Sequence, residues 1–500
     1  MPQPCFSRDV MSFKPASSSR AAVALVALTV LGACTMIPTY DRPGLPVADA
    51  FPQTGEAVSS ASSNREAADL GWRDMFPDPV LRTLLRDALD NNRDLRIAAL
   101  NVEAARASYR IQRSDFLPRL DAVATSTAQR TPDTLALPGA PEITRAYSAS
   151  VAATAWEIDL WGRVRSLNQQ ALAAYLSRDE TRRAAELSLI AEVANAYLTL
   201  RADQAALRLA QETVRSQERS VDLTRDLEAA GQVGRLDLRQ AEIALRAAQS
   251  DLSLYGRRVA QDRNALVLLV GAPLSPEMSA ALAAADTLPD DLGVRGLPAG
   301  APSSLLERRP DIRAAEFDLI GANAGIGAAR AAFFPRLSLT GSTGAASSAL
   351  DDLFDTGATA WSFSPRIVLP IFNAGALRAS LDRSELLTQV EVARYERTIQ
   401  VAFREVADGL AGQATFEDQI AVEILRVEAG REALALATQR YEAGEDSYLA
   451  VLDAQRSVYG AEQALIRTRL GRLSNLVTLY KALGGGWTEA GLQADAALRD

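Results

Sequence analysis

From Arg163 to Ala230 the chain runs for 68 residues without a glycine or a proline. At about 1.5 Å per residue, a helix of that length reaches roughly 100 Å, which no compact globule accommodates. Leu187, Ile190, Ala194 and Tyr197 form one apolar row along it. Leu189, Val193, Ala196 and Leu200 form a second row roughly 100° around, and Ser188, Glu192, Asn195 and Thr199 make a polar face. Such a helix touches a neighbour on each side and shows one face to water. A cylinder wall and a broad-faced bundle both satisfy that layout.

The same kind of unit occurs twice. Asp115-Phe-Leu-Pro-Arg-Leu120 is answered by Ala332-Phe-Phe-Pro-Arg-Leu337, and Asn92-Arg-Asp-Leu95 by Arg309-Pro-Asp-Ile312. Gly231-Gln-Val-Gly-Arg-Leu236 is answered by Gly444-Glu-Asp-Ser-Tyr-Leu449, and Gly271 by Gly484. The separation stays between 213 and 217 residues. Solenoid repeats have periods of roughly 20 to 50 residues, so this is a domain-sized tandem duplication.

Each copy adds a stretch of different character. Residues 119–158 and 337–364 carry alternating small apolar and hydroxyl residues around loops rich in Pro, Gly, Ser and Ala, as in Tyr147-Ser-Ala-Ser-Val151 and Trp361-Ser-Phe363-Ser. That reads as strand–loop–strand, compatible with a membrane barrel or with a soluble hairpin. Helices are expected from Pro79, over 92–117, over 235–270, from Ala376 to Ala443 and from Asp446 to Leu483. Two shorter helices stacked end to end would then match one long one in each copy.

Histidine is absent and the only cysteines are Cys5 and Cys34. This removes most zinc sites and the usual nucleophilic triads, so no enzyme activity and no metal are expected. A net charge of −9 argues against a nucleic-acid partner. Gly321, Gly325 and Gly327 lack phosphate-loop spacing and suit close helix packing instead.

The amino terminus reads as an address. Arg8, Lys14 and Arg20 precede an apolar run from Ala21 to Leu31, too short to span a bilayer but fitting a signal-peptide core. The run ends in Leu31-Gly-Ala-Cys34, which looks like a lipobox whose cysteine is acylated and becomes the first mature residue. Met11 is an alternative start. The absence of aspartate at Thr35 favours the outer over the inner membrane.

Several motifs together resemble the outer membrane factor family, the TolC/OprM-like efflux channels and in particular their NodT-type lipoproteins. They are Trp156-Glu-Ile-Asp-Leu-Trp161-Gly162, Leu305-Leu-Glu-Arg-Arg-Pro-Asp311, Gly327-Ala-Ala-Arg-Ala-Ala-Phe-Phe-Pro335, Tyr441-Glu-Ala-Gly444, Tyr448-Leu-Ala-Val-Leu-Asp453-Ala-Gln-Arg456 and Leu479-Tyr-Lys-Ala-Leu-Gly-Gly-Gly-Trp487. The mature start, Cys34-Thr-Met-Ile-Pro-Thr-Tyr-Asp-Arg-Pro43, is similar too.

The resemblance implies an α+β membrane protein: a homotrimeric 12-stranded outer membrane β-barrel, four strands per protomer, continued by a long periplasmic α-helical barrel. The boundaries then expected are a signal peptide over 1–33, a lipid-anchored extended leader over 34–78, a first repeat over 79–271, a connector over 272–304, a second repeat over 305–487 and a tail over 488–500. The function implied is passive conduction of drugs or other toxic solutes out of the cell. The implied partners are a periplasmic adaptor, an inner-membrane pump of RND type and outer membrane lipid; no cofactor beyond the N-terminal lipid on Cys34 is implied. A type I protein secretion channel would share the fold, and a pore-free periplasmic scaffold would lack the strands.

Site residues follow by resemblance. The reversals at Gly231 and Gly234 and at Gly444 and Ser447 become adaptor-docking tips, where glycine is expected to be required. Leu449, Asp453 and Arg456 share a helix face at spacings of four and three, and with Tyr441 across the reversal they become the channel gate. Three Asp453 side chains about 6 Å apart would repel by roughly 3 kcal/mol per pair at an effective dielectric near 20. Arg456 or a bound cation can supply counter-charge, and Leu449 an apolar constriction. The first copy offers Leu236, Gln240 and Ile243 instead. Gly409, Gly430, Gly460 and Gly471, in excess of the first copy, are expected to permit bending.

Overall fold

A computed structural model describes residues 35–51, 71–132, 134, 141–284, 287–292 and 308–485. The signal segment 1–33, Cys34, residues 285–286 and 293–304 of the connector and the tail 488–500 lie outside the described residues. The chain forms two compact units.

One unit combines residues up to Asp41, Ala107–Ala173 and Leu319–Val390. It holds an antiparallel sheet in the order β1 (Leu120–Arg130), β2 (Ile143–Ile158), β3 (Arg336–Ser347), β4 (Thr359–Val368). The register places Asp121 opposite Ala152, Ala152 opposite Ser342 and Ser342 opposite Ser362. That face is rich in hydroxyls, with Ser150, Thr340, Ser342, Ser362 and Ser364 among its residues, and Thr125–Ser148 and Ser342–Ser362 bond across strands at 2.5 and 2.8 Å. The opposite face carries Leu120, Val151, Trp361, Phe363 and Ile367, all exposed. Alternation thus produces one polar and one apolar face, both open, as a channel wall in lipid requires. A bulge between Ala153 and Trp156 kinks β2, with Ala155 in the left-handed region at φ +50°.

Below the strands, Trp161 stacks on Phe334 with ring centroids 4.7 Å apart, and its indole N–H donates to the Pro335 carbonyl at 3.0 Å. Glu157 accepts two bonds from Arg163 (2.8 and 2.6 Å) and lies 3.4 Å from Arg336. The glycines at 321, 325 and 327 behave as close-packing positions. A Cβ at Gly321 would meet the Ala173 Cβ at 3.4 Å, and one at Gly327 would meet Ile37 at 2.5 Å.

The second unit combines Arg42–Arg106, Ala174–Asp318 and residues from Glu391 onward. Among the described residues the helices, in order, are α1 (Trp72–Met75), α2 (Pro79–Asn91), α3 (Arg93–Ser114), α4 (Arg163–Ala229), α5 (Arg235–Val270), α6 (Pro276–Ala284), α7 (Pro310–Ala331), α8 (Ala376–Glu442) and α9 (Tyr448–Ala482). Helix α2 starts with proline at its first position, where no N–H is missed, and Asp78 accepts from Val80 at 2.8 Å. The two apolar rows of α4 are largely buried, with Leu187, Ile190, Val193, Tyr197 and Leu200 in one core with α2, α8 and α9. Among the described residues no helix is long and apolar enough to cross a membrane.

Two expectations are corrected. The end of the leader is not merely extended: Phe51, Trp72, Met75 and Phe76 are core residues, Phe51 stacking on Phe403 at 4.7 Å. Isolated aromatics without a period carry no signal of burial. The second-copy glycines mostly serve packing rather than bending, since α8 and α9 continue unbroken through them. A Cβ at Gly409 would meet Leu479 at 2.9 Å, one at Gly471 would meet Phe416 at 2.9 Å, and one at Gly430 would meet Val458 at 3.2 Å; only Gly460 of the four faces open space.

Candidate functional site

The two helix reversals are built alike. After α4, Gly231 donates to the Glu228 carbonyl and Gln232 to the Leu227 carbonyl, each at 2.9 Å. After α8, Gly444 donates to Tyr441 at 3.0 Å and Glu445 to Arg440 at 2.9 Å. This left-handed cap satisfies carbonyls that the helix end leaves free. Gly231 has φ +72° and Gly444 φ +75°, so glycine is required there by conformation. Nothing lies within 4 Å of a Cβ built at either, leaving the backbone open to a visitor.

Gly234 and Ser447 are different. Both are N-cap residues in extended conformation, φ −87° and −78°, and a Cβ at Gly234 would meet Asp237 at 3.6 Å and the Leu236 nitrogen at 4.0 Å, both ordinary contacts. Glycine is not needed at Gly234; serine occupies the matching place in the second copy.

Just beyond the second reversal, Leu449, Asp453 and Arg456 all point out to solvent, with Leu449 56% exposed. Between them on the inner side, Tyr448, Val451 and Leu452 pack into a core with Val221, Leu238 and Ala241. Burial on one side therefore fixes which way the stripe faces. Tyr441 does not share that face. Its ring sits 5.3 Å from Tyr448, half-buried against the same core. Burial raises both tyrosine pKa values, which keeps the hydroxyls neutral near Ser220 and Thr224 of α4.

Asp453 and Arg456 make no ion pair among the described residues. An exposed pair contributes under about 1 kcal/mol, too little to hold two free side chains together. In the first copy, Leu236 and Ile243 are 68% and 62% exposed, so the corresponding stripe faces out as well.

Sequence reasoning missed the ties that hold α9 to the first copy. Gln217 donates to Gln455 at 2.9 Å, and the Tyr459 hydroxyl donates to Asp251 at 2.9 Å. Their partners lie more than 200 residues away in the chain, and only helix phase could have hinted at them. Cys34 is outside the described residues.

The family model described as outer membrane efflux protein matches residues 84–272 and 301–485. A toluene efflux pump outer membrane protein of Pseudomonas putida, TtgC, is 47% identical over 467 residues, which is 93% of this chain and 95% of that protein. The antibiotic efflux pump outer membrane protein ArpC of Pseudomonas putida is equally similar, 47% over 467 residues with the same coverage. Among solved structures, the open state of the MtrE outer membrane channel of Neisseria gonorrhoeae superposes with a TM-score of 0.80 at 41% identity, covering 91% of this chain and 98% of that one.

Proposed function

The chain belongs to the outer membrane efflux protein family, and from that premise we propose that three copies close one conduit for toxic small molecules. Its role as an efflux channel of the outer membrane follows from the family. The observation that carries the trimer is the sheet. Four strands leave β1 and β4 as edges of 11 and 10 residues, unpaired among the described residues. Lipid tolerates no such edge, and three sheets joined edge to edge make a closed barrel of twelve strands.

The relatives' names point to solvents and antibiotics as cargo, which favours efflux over protein secretion. In this reading the conduit is passive and performs no catalysis. An adaptor docks at the Gly231 and Gly444 reversals, bringing an inner-membrane pump of RND type. The outward stripe of Leu449, Asp453 and Arg456 forms the constriction, with Tyr441 behind it as a packing residue. Because Asp453 and Arg456 do not pair among the described residues, counter-charge comes from a neighbouring protomer or a cation. The mature protein starts at an acylated Cys34, and the repeats extend over 79–271 and 305–487; loss of acyl-chain labelling in Cys34→Ser checks the anchor.

Reconstitution of the purified protein into planar bilayers tests the reading. Discrete conductance steps are expected, and a protein that gives none is a scaffold rather than a channel.

A further inference from the structure

We infer that Asp121 and Arg366 form a charge clasp across each seam between protomers and set the register in which the barrel closes. The inference rests on the trimeric reading above and adds a specific pairing to it.

Strand β4 carries one charged residue, Arg366, and β1 carries two, Asp121 and Arg130. Arg130 is already paired with Glu142. Asp121 and Arg366 have no ion-pair or hydrogen-bond partner among the described residues. The carboxylate nearest Arg366 in the sheet is Glu157, and it is taken. Arg163 grips it with two bonds and Arg336 adds a third contact, so the strand ends carry surplus positive charge.

Both residues lie on the polar face. Asp121 shares it through Ala152 and Ser342 to Ser362, and Arg366 through Ser338, two residues from Thr340 on the same strand. Both also lie at the same end, Asp121 one residue into β1 and Arg366 two residues from the end of β4. A seam that continues the antiparallel order brings those ends together.

The seam register is restricted by two conditions. Aligning Leu120–Arg130 with Thr359–Val368 end to end buries the most edge. Keeping polar residues beside polar ones permits only alternate registers, because a one-residue slip inverts every side chain. Two registers satisfy both. In one, Asp121 faces Arg366 directly; in the other it faces Val368 and has Arg366 as its diagonal neighbour. Directly opposed Cβ atoms lie about 5 Å apart and diagonal ones about 7 to 8 Å, both within reach of an arginine. Either register also sets Trp361 and Phe363 against alanine or serine of β1, so that large side chains meet small ones. Pro365 removes at most one donor from this edge.

Three measurements test the clasp. Native mass in detergent comes first: a trimer is expected, and a monomer or dimer overturns the trimeric reading itself. Next, Asp121→Cys is combined in turn with Ser364→Cys, Arg366→Cys or Val368→Cys under mild oxidation. A covalent trimer is expected with Arg366→Cys or Val368→Cys and not with Ser364→Cys, since a disulfide draws Cβ atoms to about 4 Å, which opposed positions reach by a small shift and diagonal ones do not. A trimer by mass whose cross-link forms only through Ser364→Cys, or with none of the three, overturns the register while leaving the channel reading intact. Last, Asp121→Arg and Arg366→Asp should each lower the temperature at which SDS dissociates the trimer, and the double exchange should restore most of that loss. Single reversals that dissociate like the parent, or an exchange no better than the worse single variant, contradict the charge pairing.

Discussion

At the joint where a short helix stacks on the end of a longer one, the two copies use different chemistry at the same place. In the first, Asn92 caps α3 by accepting from the Leu95 N–H at 2.9 Å and donates to the Leu269 carbonyl at the end of α5, at 2.8 Å. In the second, the matching residue is Arg309, 5% exposed, which donates to the Ala482 carbonyl of α9 at 2.8 Å while holding Asp311 and Glu405. Leu269 and Ala482 are 213 residues apart, the spacing of the duplication. One backbone joint thus survives with a neutral amide in one copy and a charged fork in the other.

The same divergence appears lower in the wall. Asp203, Arg258 and Asp262 in the first copy fall where the second has Phe416, Gly471 and Asn475. Asp203 and Arg258 lie 3.8 Å apart, and one buried oxygen of Asp262 has no hydrogen-bond partner among the described residues. In the second copy Phe416 fills the space over Gly471, and Asn475 donates to the Gly409 carbonyl at 2.9 Å. Titratable groups line the wall in one copy where the other is packed. At the tips the polarity is reversed: the charged outward stripe belongs to the second copy.

Replacing the joint residues should expose the difference most strongly. Arg309→Met removes a nearly buried guanidinium from two carboxylates and a carbonyl, with an expected loss of about 2–4 kcal/mol. Asn92→Ala removes one cap and one bond, with a loss of about 1–2 kcal/mol. Thermal unfolding followed by circular dichroism ranks the two. Equal losses would mean that the extra charge adds nothing to the joint.

The tips should respond alike. Gly231→Ala and Gly444→Ala each force a Cβ into the left-handed region, a cost of about 1 kcal/mol. Gly234→Ser should be silent. Bulky replacements at Gly231 and Gly444 should leave trimers intact but abolish cross-linking to the adaptor; undiminished efflux in both removes the docking role.

A smaller effect is expected from pH. Burial first, and then the neighbouring Asp203, push Asp262 up to about 6. An unfolded aspartate has already ionised by about pH 4, so the folded chain holds a proton that the unfolded one has lost. Stability therefore falls as pH rises from about 4 through about 6. Asp262→Asn should flatten that slope, as the second copy already has asparagine there. An unchanged slope between pH 4 and 7 assigns the effect to another group.

Much of this architecture was legible in the residues. A run free of glycine and proline fixed α4 to within a residue of its observed end, and period-two alternation located the four strands of the described sheet. The stripe of Leu449, Asp453 and Arg456 faces outward as its spacing implied. The role of Arg309 was not legible, because its acceptor lies 173 residues away and the sequence marks it only as the counterpart of Asn92. Nor was the absence of an Asp453–Arg456 pair, which depends on side-chain freedom rather than on spacing. The leader's Phe51 and Phe76 gave no warning of burial, having no periodic neighbours.

We propose that the duplicated halves share one wall while the second closes the conduit. Single-channel conductance in planar bilayers tests it most directly, comparing Leu449→Ala/Asp453→Ala with the matching first-copy variant Leu236→Ala/Gln240→Ala. The second-copy variant should conduct severalfold more than the parent, and the first-copy variant should conduct like it. Parental conductance from the second-copy variant, or an equal rise in both, would contradict the account.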